Sequence, residues 1–246
     1  MKDAAASIGP TGMVATPIVA LDYPEADSAL ALVSLLSETC RFYKVGSELF
    51  TAAGPDVVER ILDEGCDVFL DLKLHDIPNT VAGAMRRIAA MGVRLATVHA
   101  SGGRAMIEAA VDAAGPECGV MAVTILTSVD RAGLSEITGA LNADLADSVL
   151  RLAELARSAG ARGVVCSGDE ARLVRSRFGA RLEILVPGIR LPGDSAGDQA
   201  RTVTPEAAVL AGADYLILGR SVTGAADPRG AMKTVRERLL NTVAPS

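Results

Sequence analysis

The chain has no tryptophan and only four phenylalanines and three tyrosines among its 246 residues, so a core built on stacked rings is excluded. Half of the residues are nonetheless hydrophobic, and the core must come from Ala, Val, Leu and Ile. Apolar runs are short. None approaches the roughly 18 residues that a membrane helix needs, and a stretch such as 119-GVMAVTILTSV-129 is interrupted by Thr and Ser. No membrane partner is expected. The opening residues, MKDAAASIGPTGM, lack the apolar h-region of a signal peptide. Residues 1–13 are read as a ragged leader and 241–246 as a tail around one domain spanning 1–246, expected to be cytoplasmic.

Cysteine and histidine are also scarce. Cys40, Cys66, Cys118 and Cys166 are widely separated and form no CxxC pair, which argues against both a zinc site and a disulfide framework. They read as small buried apolar residues. His75 and His99 are the only histidines, with no carboxylate at metal-ligand spacing to either, so no catalytic metal is expected. Each fits better as a structural residue at a strand end, with His75 orienting the turn that carries Asp76. The net charge is −6 with no basic cluster, which removes the electrostatic footprint of a nucleic-acid binder. A small molecule is the expected partner.

Lysine is the most informative scarcity. The 24 cationic residues include only Lys2, Lys44, Lys73 and Lys233. Where a sequence otherwise chooses Arg, an interior Lys suggests an ammonium that transfers a proton, which a guanidinium does not.

Apolar strand-like runs recur at 15–21, 42–45, 67–72, 94–99, 119–125, 163–166, 183–187 and 214–218. Between them lie stretches of helical period, such as 25–38, 80–91, 143–160 and 204–212. Strict alternation implies a parallel sheet, and eight units at about 250 residues imply an α/β fold closed as a single (β/α)8 TIM barrel. The doubly wound open sheet is the runner-up, but 21-LDYPEAD-27 lacks a dinucleotide fingerprint.

Barrel active sites gather at the C-terminal ends of the strands. There stand Asp22, Lys44, Asp71, Lys73, His99, Thr127, Ser128, 187-PGIR-190 and 219-GR-220. In 67-DVFLDLKL-74, Val68, Leu70, Leu72 and Leu74 share one face while Phe69, Asp71 and Lys73 share the other. Asp22, Lys44, Asp71, Lys73 and Asp76 can then form an array of alternating sign, in which each buried charge is compensated by its neighbours. A lysine held as a cation donates a proton, which disfavours a Schiff base and points to a carbanion quenched by Lys73.

The stretch 71-DLKLHDIPNT-80, taken with Asp22, Lys44, 124-TILTS-128, 187-PGIR-190, Gln199 and 218-LGR-220, resembles the orotidine 5'-phosphate decarboxylase family in its bacterial short form. The resemblance implies a homodimeric barrel with shared active sites that converts orotidine 5'-phosphate to UMP and CO2 without metal or organic cofactor, the last step of pyrimidine synthesis. It implies that Lys73 protonates C6 and that Asp71 lies against the substrate carboxylate. Lys44 and Asp22 would hold the ribose, and Asp76 and Thr80 would enter the neighbouring subunit's site. Thr127, with Ser128 beside it, would contact the pyrimidine. Arg190, Gln199, Gly219 and Arg220 would hold the phosphate under a lid formed by residues 188–202. The D-x-K-x-x-D core alone also occurs in magnesium-dependent sugar-phosphate decarboxylases and synthases, and the IPNT tail favours the first reading. A third possibility, a catalytically silent nucleotide-binding barrel, is opposed by the intact Asp71 and Lys73.

Overall fold

The computed structural model describes residues 15–140, 144–192 and 202–242. Eight parallel strands close into a barrel in sequence order: β1 Thr16–Ala20, β2 Phe42–Gly46, β3 Asp67–Leu74, β4 Leu95–His99, β5 Gly119–Val123, β6 Gly163–Val165, β7 Glu183–Val186 and β8 Tyr215–Leu218. β8 pairs back onto β1. The crossovers are α1 Ala26–Leu36, α2 Ser47–Ala53 with α3 Asp56–Asp63, α4 Pro78–Ala90, α5 Arg104–Ala114, α6 Arg131–Thr138 with α7 Leu145–Ser158, α8 Gly168–Phe178 and α9 Pro205–Leu210. After β8 come the short α10 Arg220–Thr223 and then α11 Pro228–Asn241. Helix starts follow local chemistry. Ser167 and Glu170 form a reciprocal capping box on α8, and Thr204 and Asp227 cap α9 and α11 ahead of a proline.

The core has two shells. The larger lies between strands and helices and holds Val68 and Leu70 of β3, with Leu72 and Leu74 packed against it. The smaller fills the barrel and holds Ile18, Ala20, Phe42, Phe69, Leu95, Met121, Leu185, Tyr215 and Ile217. Three of the seven aromatic side chains are therefore spent inside the barrel. At its lower end Phe42 and Tyr215 meet edge to face at 6.3 Å, Arg94 lies 5.4 Å over the Phe42 ring, and the Tyr215 hydroxyl donates to Glu183 at 3.1 Å. Inward positions recur every second residue along a strand. One step above Ala20, Phe42, Phe69 and Leu95 stand Asp22, Lys44, Asp71 and Thr97, so the apolar filling gives way to a polar layer at the mouth.

The strand and helix readings hold, with shifted ends. β3 continues to Leu74, and α4 begins at Pro78, whose fixed φ suits the first helical turn. Of the segment 188–202, residues 193–201 lie outside the described residues, with the whole leader 1–13 and residues 243–246 of the tail. The flanks of that segment are pinned by Arg190 N–H donating to Val203 O at 2.9 Å and Val203 N–H to Gly188 O at 3.2 Å.

Candidate active site

The mouth opens into a cavity of about 710 Å³. Its apolar walls include Ala20, Phe69, Val123, Val165, Leu185 and Ile217, and its polar lining includes Asp22, Lys44, Asp71, Lys73, Thr127, Ser128, Arg190, Gly219 and Arg220. Charges of alternating sign run along one side. Lys44 Nζ donates to Asp22 Oδ1 at 2.8 Å and lies 3.9 Å from Asp71 Oδ2, which accepts from Lys73 Nζ at 2.8 Å. The inner pair is the most enclosed, with Lys44 and Asp71 side chains 11% and 13% exposed against 37% for Lys73 and 59% for Asp22. Removing either member of this enclosed inner pair leaves the other's buried charge less compensated, which costs more than the contact itself contributes.

The second oxygen of Asp71 is held from β4, where Thr97 Oγ1 donates to Asp71 Oδ1 at 3.0 Å. The same hydroxyl accepts the Lys73 backbone N–H at 2.8 Å. Thr97 is fully buried. Sequence reasoning passed over it, although the inward spacing of two from Leu95 marks the position.

Four of the five charges expected in the array are brought together. Within one chain the fifth, Asp76, is not: it lies on an exposed turn, where its own Oδ1 accepts the Ile77 N–H at 2.6 Å. Thr80 is likewise exposed in the first turn of α4, and Ile77 between them is 67% exposed. Thr127 and Ser128 line the cavity just after β5, where Thr124 fixes the chain by donating to Val165 O at 2.8 Å. Arg190 is buried and donates to Ile189 O at 2.9 Å, while Gly219 and Arg220 form the junction between β8 and α10. Gln199 lies outside the described residues.

His75 packs against His99 with ring centroids 5.4 Å apart, and the Asp76 carboxylate accepts from the Ile77 N–H in the turn that follows. Burial first, then the neighbouring His75 and Lys73, hold His99 below its ordinary titration range. All four cysteines are buried, and burial pushes the Cys40 and Cys118 thiols up to about 11, which leaves those two little thiolate character. Among the described residues no cluster of His, Cys, Asp and Glu could hold a metal ion, and no helix is long and apolar enough to cross a membrane.

Comparison with known proteins gives the arrangement its relatives. The profile described as Orotidine 5'-phosphate decarboxylase / HUMPS family matches residues 16–235. The chain is 51% identical to an orotidine 5'-phosphate decarboxylase of Halorhodospira halophila, covering 90% of this chain and 94% of that one. It is 52% identical to the enzyme of that name from Alkalilimnicola ehrlichii, covering 90% and 95%. A crystal structure of orotidine 5'-phosphate decarboxylase from Lactobacillus acidophilus superposes with a TM-score of 0.78 at 35% identity, covering 92% of this chain and 99% of that one. The match runs from the first strand into the last helix, and half of the residues are shared with the curated relatives. The chain therefore belongs to the orotidine 5'-phosphate decarboxylase / HUMPS family.

Proposed function

We propose that the chain decarboxylates orotidine 5'-phosphate to UMP and CO2 in pyrimidine biosynthesis, without metal or organic cofactor. The observation that carries the reading is the row Asp22, Lys44, Asp71, Lys73 along an otherwise apolar cavity. The names of the relatives, all decarboxylases of this substrate, favour it over a metal-dependent sugar-phosphate reaction built on the same core.

The chemistry follows from the row. The bond between C6 and the carboxylate breaks, CO2 leaves, and the electron pair stays at C6. The Lys73 ammonium then gives that carbon its proton and is recharged from solvent. Asp71, held by both Lys73 and Thr97, faces the departing carboxylate. Fixed cationic charge beside the developing carbanion stabilises it without reorganisation, the largest single contribution in many enzymes. Lys44 and Asp22 orient the ribose, Thr127 and Ser128 meet the pyrimidine, and Arg190, Gln199, Gly219 and Arg220 hold the phosphate. Phosphate binding, remote from C6, supplies energy that is spent on the transition state.

The working unit in this reading is a homodimer in which Asp76 and Thr80 of each chain complete the other's site. Their exposure beside the exposed Ile77 supports this. The test is the absorbance of orotidine 5'-phosphate mixed with purified protein in excess EDTA. Loss of the orotidylate band is expected. A band that persists in EDTA and falls only when magnesium is restored would overturn the cofactor-free reading.

A further inference from the structure

The register of β3 against β4 shifts between Leu70 and Leu74: Leu70 pairs with Ala96, and Leu74 pairs with Val98. Asp71, Leu72 and Lys73 thus all stand opposite one residue, Thr97. An irregularity of this kind interrupts the ladder and leaves backbone groups to find other partners. The Lys73 N–H finds the Thr97 hydroxyl oxygen, and that hydroxyl in turn donates a hydrogen bond to Asp71 Oδ1. Lys73 has φ 51°, the only positive φ of a non-glycine among the described residues, in a region that side chains rarely adopt. Unusual backbone of this kind persists only where its surroundings fix it, and it clusters at functional sites. Valine has the shape of threonine and an equal fit to a strand, so packing at this buried inward position does not require a hydroxyl.

We infer that Thr97 is a positioning residue for the reaction. Its hydroxyl fixes the Lys73 backbone and one Asp71 oxygen together, leaving Asp71 Oδ2 to meet the Lys73 ammonium. Thr97 acts through the pair and does not line the cavity. The inference deepens the decarboxylase reading and rests on it.

The test compares Thr97→Val with Thr97→Ser in the full chain. Three quantities are measured: kcat with orotidine 5'-phosphate, the dissociation constant of UMP, and hydrogen exchange at the Lys73 backbone amide. Thr97→Val is expected to lower kcat about 10- to 100-fold, the range for losing a hydrogen bond to a charged group. UMP affinity should stay within about threefold, since the phosphate and ribose contacts are untouched. The Lys73 amide should exchange faster. Thr97→Ser should restore both kcat and protection. Wild-type kcat in Thr97→Val would overturn the inference, as would kcat and UMP affinity falling together without rescue by serine. If the wild-type chain does not consume orotidine 5'-phosphate, the decarboxylase reading has failed. The amide then still decides whether Thr97 fixes the pair, and unchanged exchange in Thr97→Val would show that it does not.

Discussion

In the proposed reaction Lys73 is the proton donor, and a lysine suits that role better than an arginine: its ammonium meets Asp71 at 2.8 Å, and an ammonium, unlike a guanidinium, can release a proton to carbon. Lys73→Ala should abolish turnover while UMP still binds, because the proton donor is lost and the phosphate contacts remain. Titration calorimetry beside the absorbance assay checks both halves. Near-normal turnover would remove Lys73 as the acid. Arg220→Ala should lower kcat/KM by about 1.5–3 kcal/mol, as expected when a charge-assisted contact to phosphate is removed. His99 gives a pH prediction. Its folded titration point lies below the ordinary 6.5, so the unfolded chain takes up that proton first as pH falls. The stability it contributes is complete above that ordinary value and is lost as pH falls through the lowered one. The wild-type melting temperature should decline on acidification over this window, and His99→Gln should decline less steeply. At this scale the charged residues were legible because Lys44 and Lys73 stand out in a sequence that uses Arg. Thr97 was not, because a threonine in a strand is what β-propensity alone predicts.

The strands divide the molecule into a reacting end and a stabilising end. Asp22, Lys44, Asp71 and Thr97 sit one inward step above Ala20, Phe42, Phe69 and Leu95, while Tyr215, Glu183, Arg94 and Phe42 close the opposite end. Burial pushes the Glu183 carboxyl up, and the Tyr215 hydroxyl opposes that shift. Tyr215→Phe should therefore destabilise the fold by about 0.5–1.5 kcal/mol, the net contribution of a typical hydrogen bond, since the Glu183 acceptor is only partly buried. It should leave kcat unchanged. Urea unfolding and the absorbance assay separate the two effects, and a matching fall in kcat would contradict the division. The apolar runs made all eight strands readable. The shift between β3 and β4 was not readable, since a register exists only between two strands, and the seven-residue α2 carries too few turns for a period to emerge.

In the whole molecule, the barrel brings residues from β1, β2, β3, β5, β6, β7 and β8 to one cavity, a convergence that alternation of strand and helix already implied. Which residues leave the cavity was harder to read. Asp76 and Thr80 belong to the same ten-residue motif as Lys73, yet a turn and a helix start carry them outward. In the proposed dimer they complete the site of a second copy. Lys73→Ala and Asp76→Ala are each expected to be nearly inactive as homodimers. A mixed dimer holds one pocket with both lesions and one with neither, so complete random exchange of equal amounts restores about a quarter of the sites. The measurement is decarboxylation of orotidine 5'-phosphate after mixing the two variants, with exchange verified by native mass spectrometry of isotopically labelled subunits. Activity returning to about a quarter of wild type is the result the account predicts. A mixture that exchanges fully and remains as inactive as its parents would contradict it.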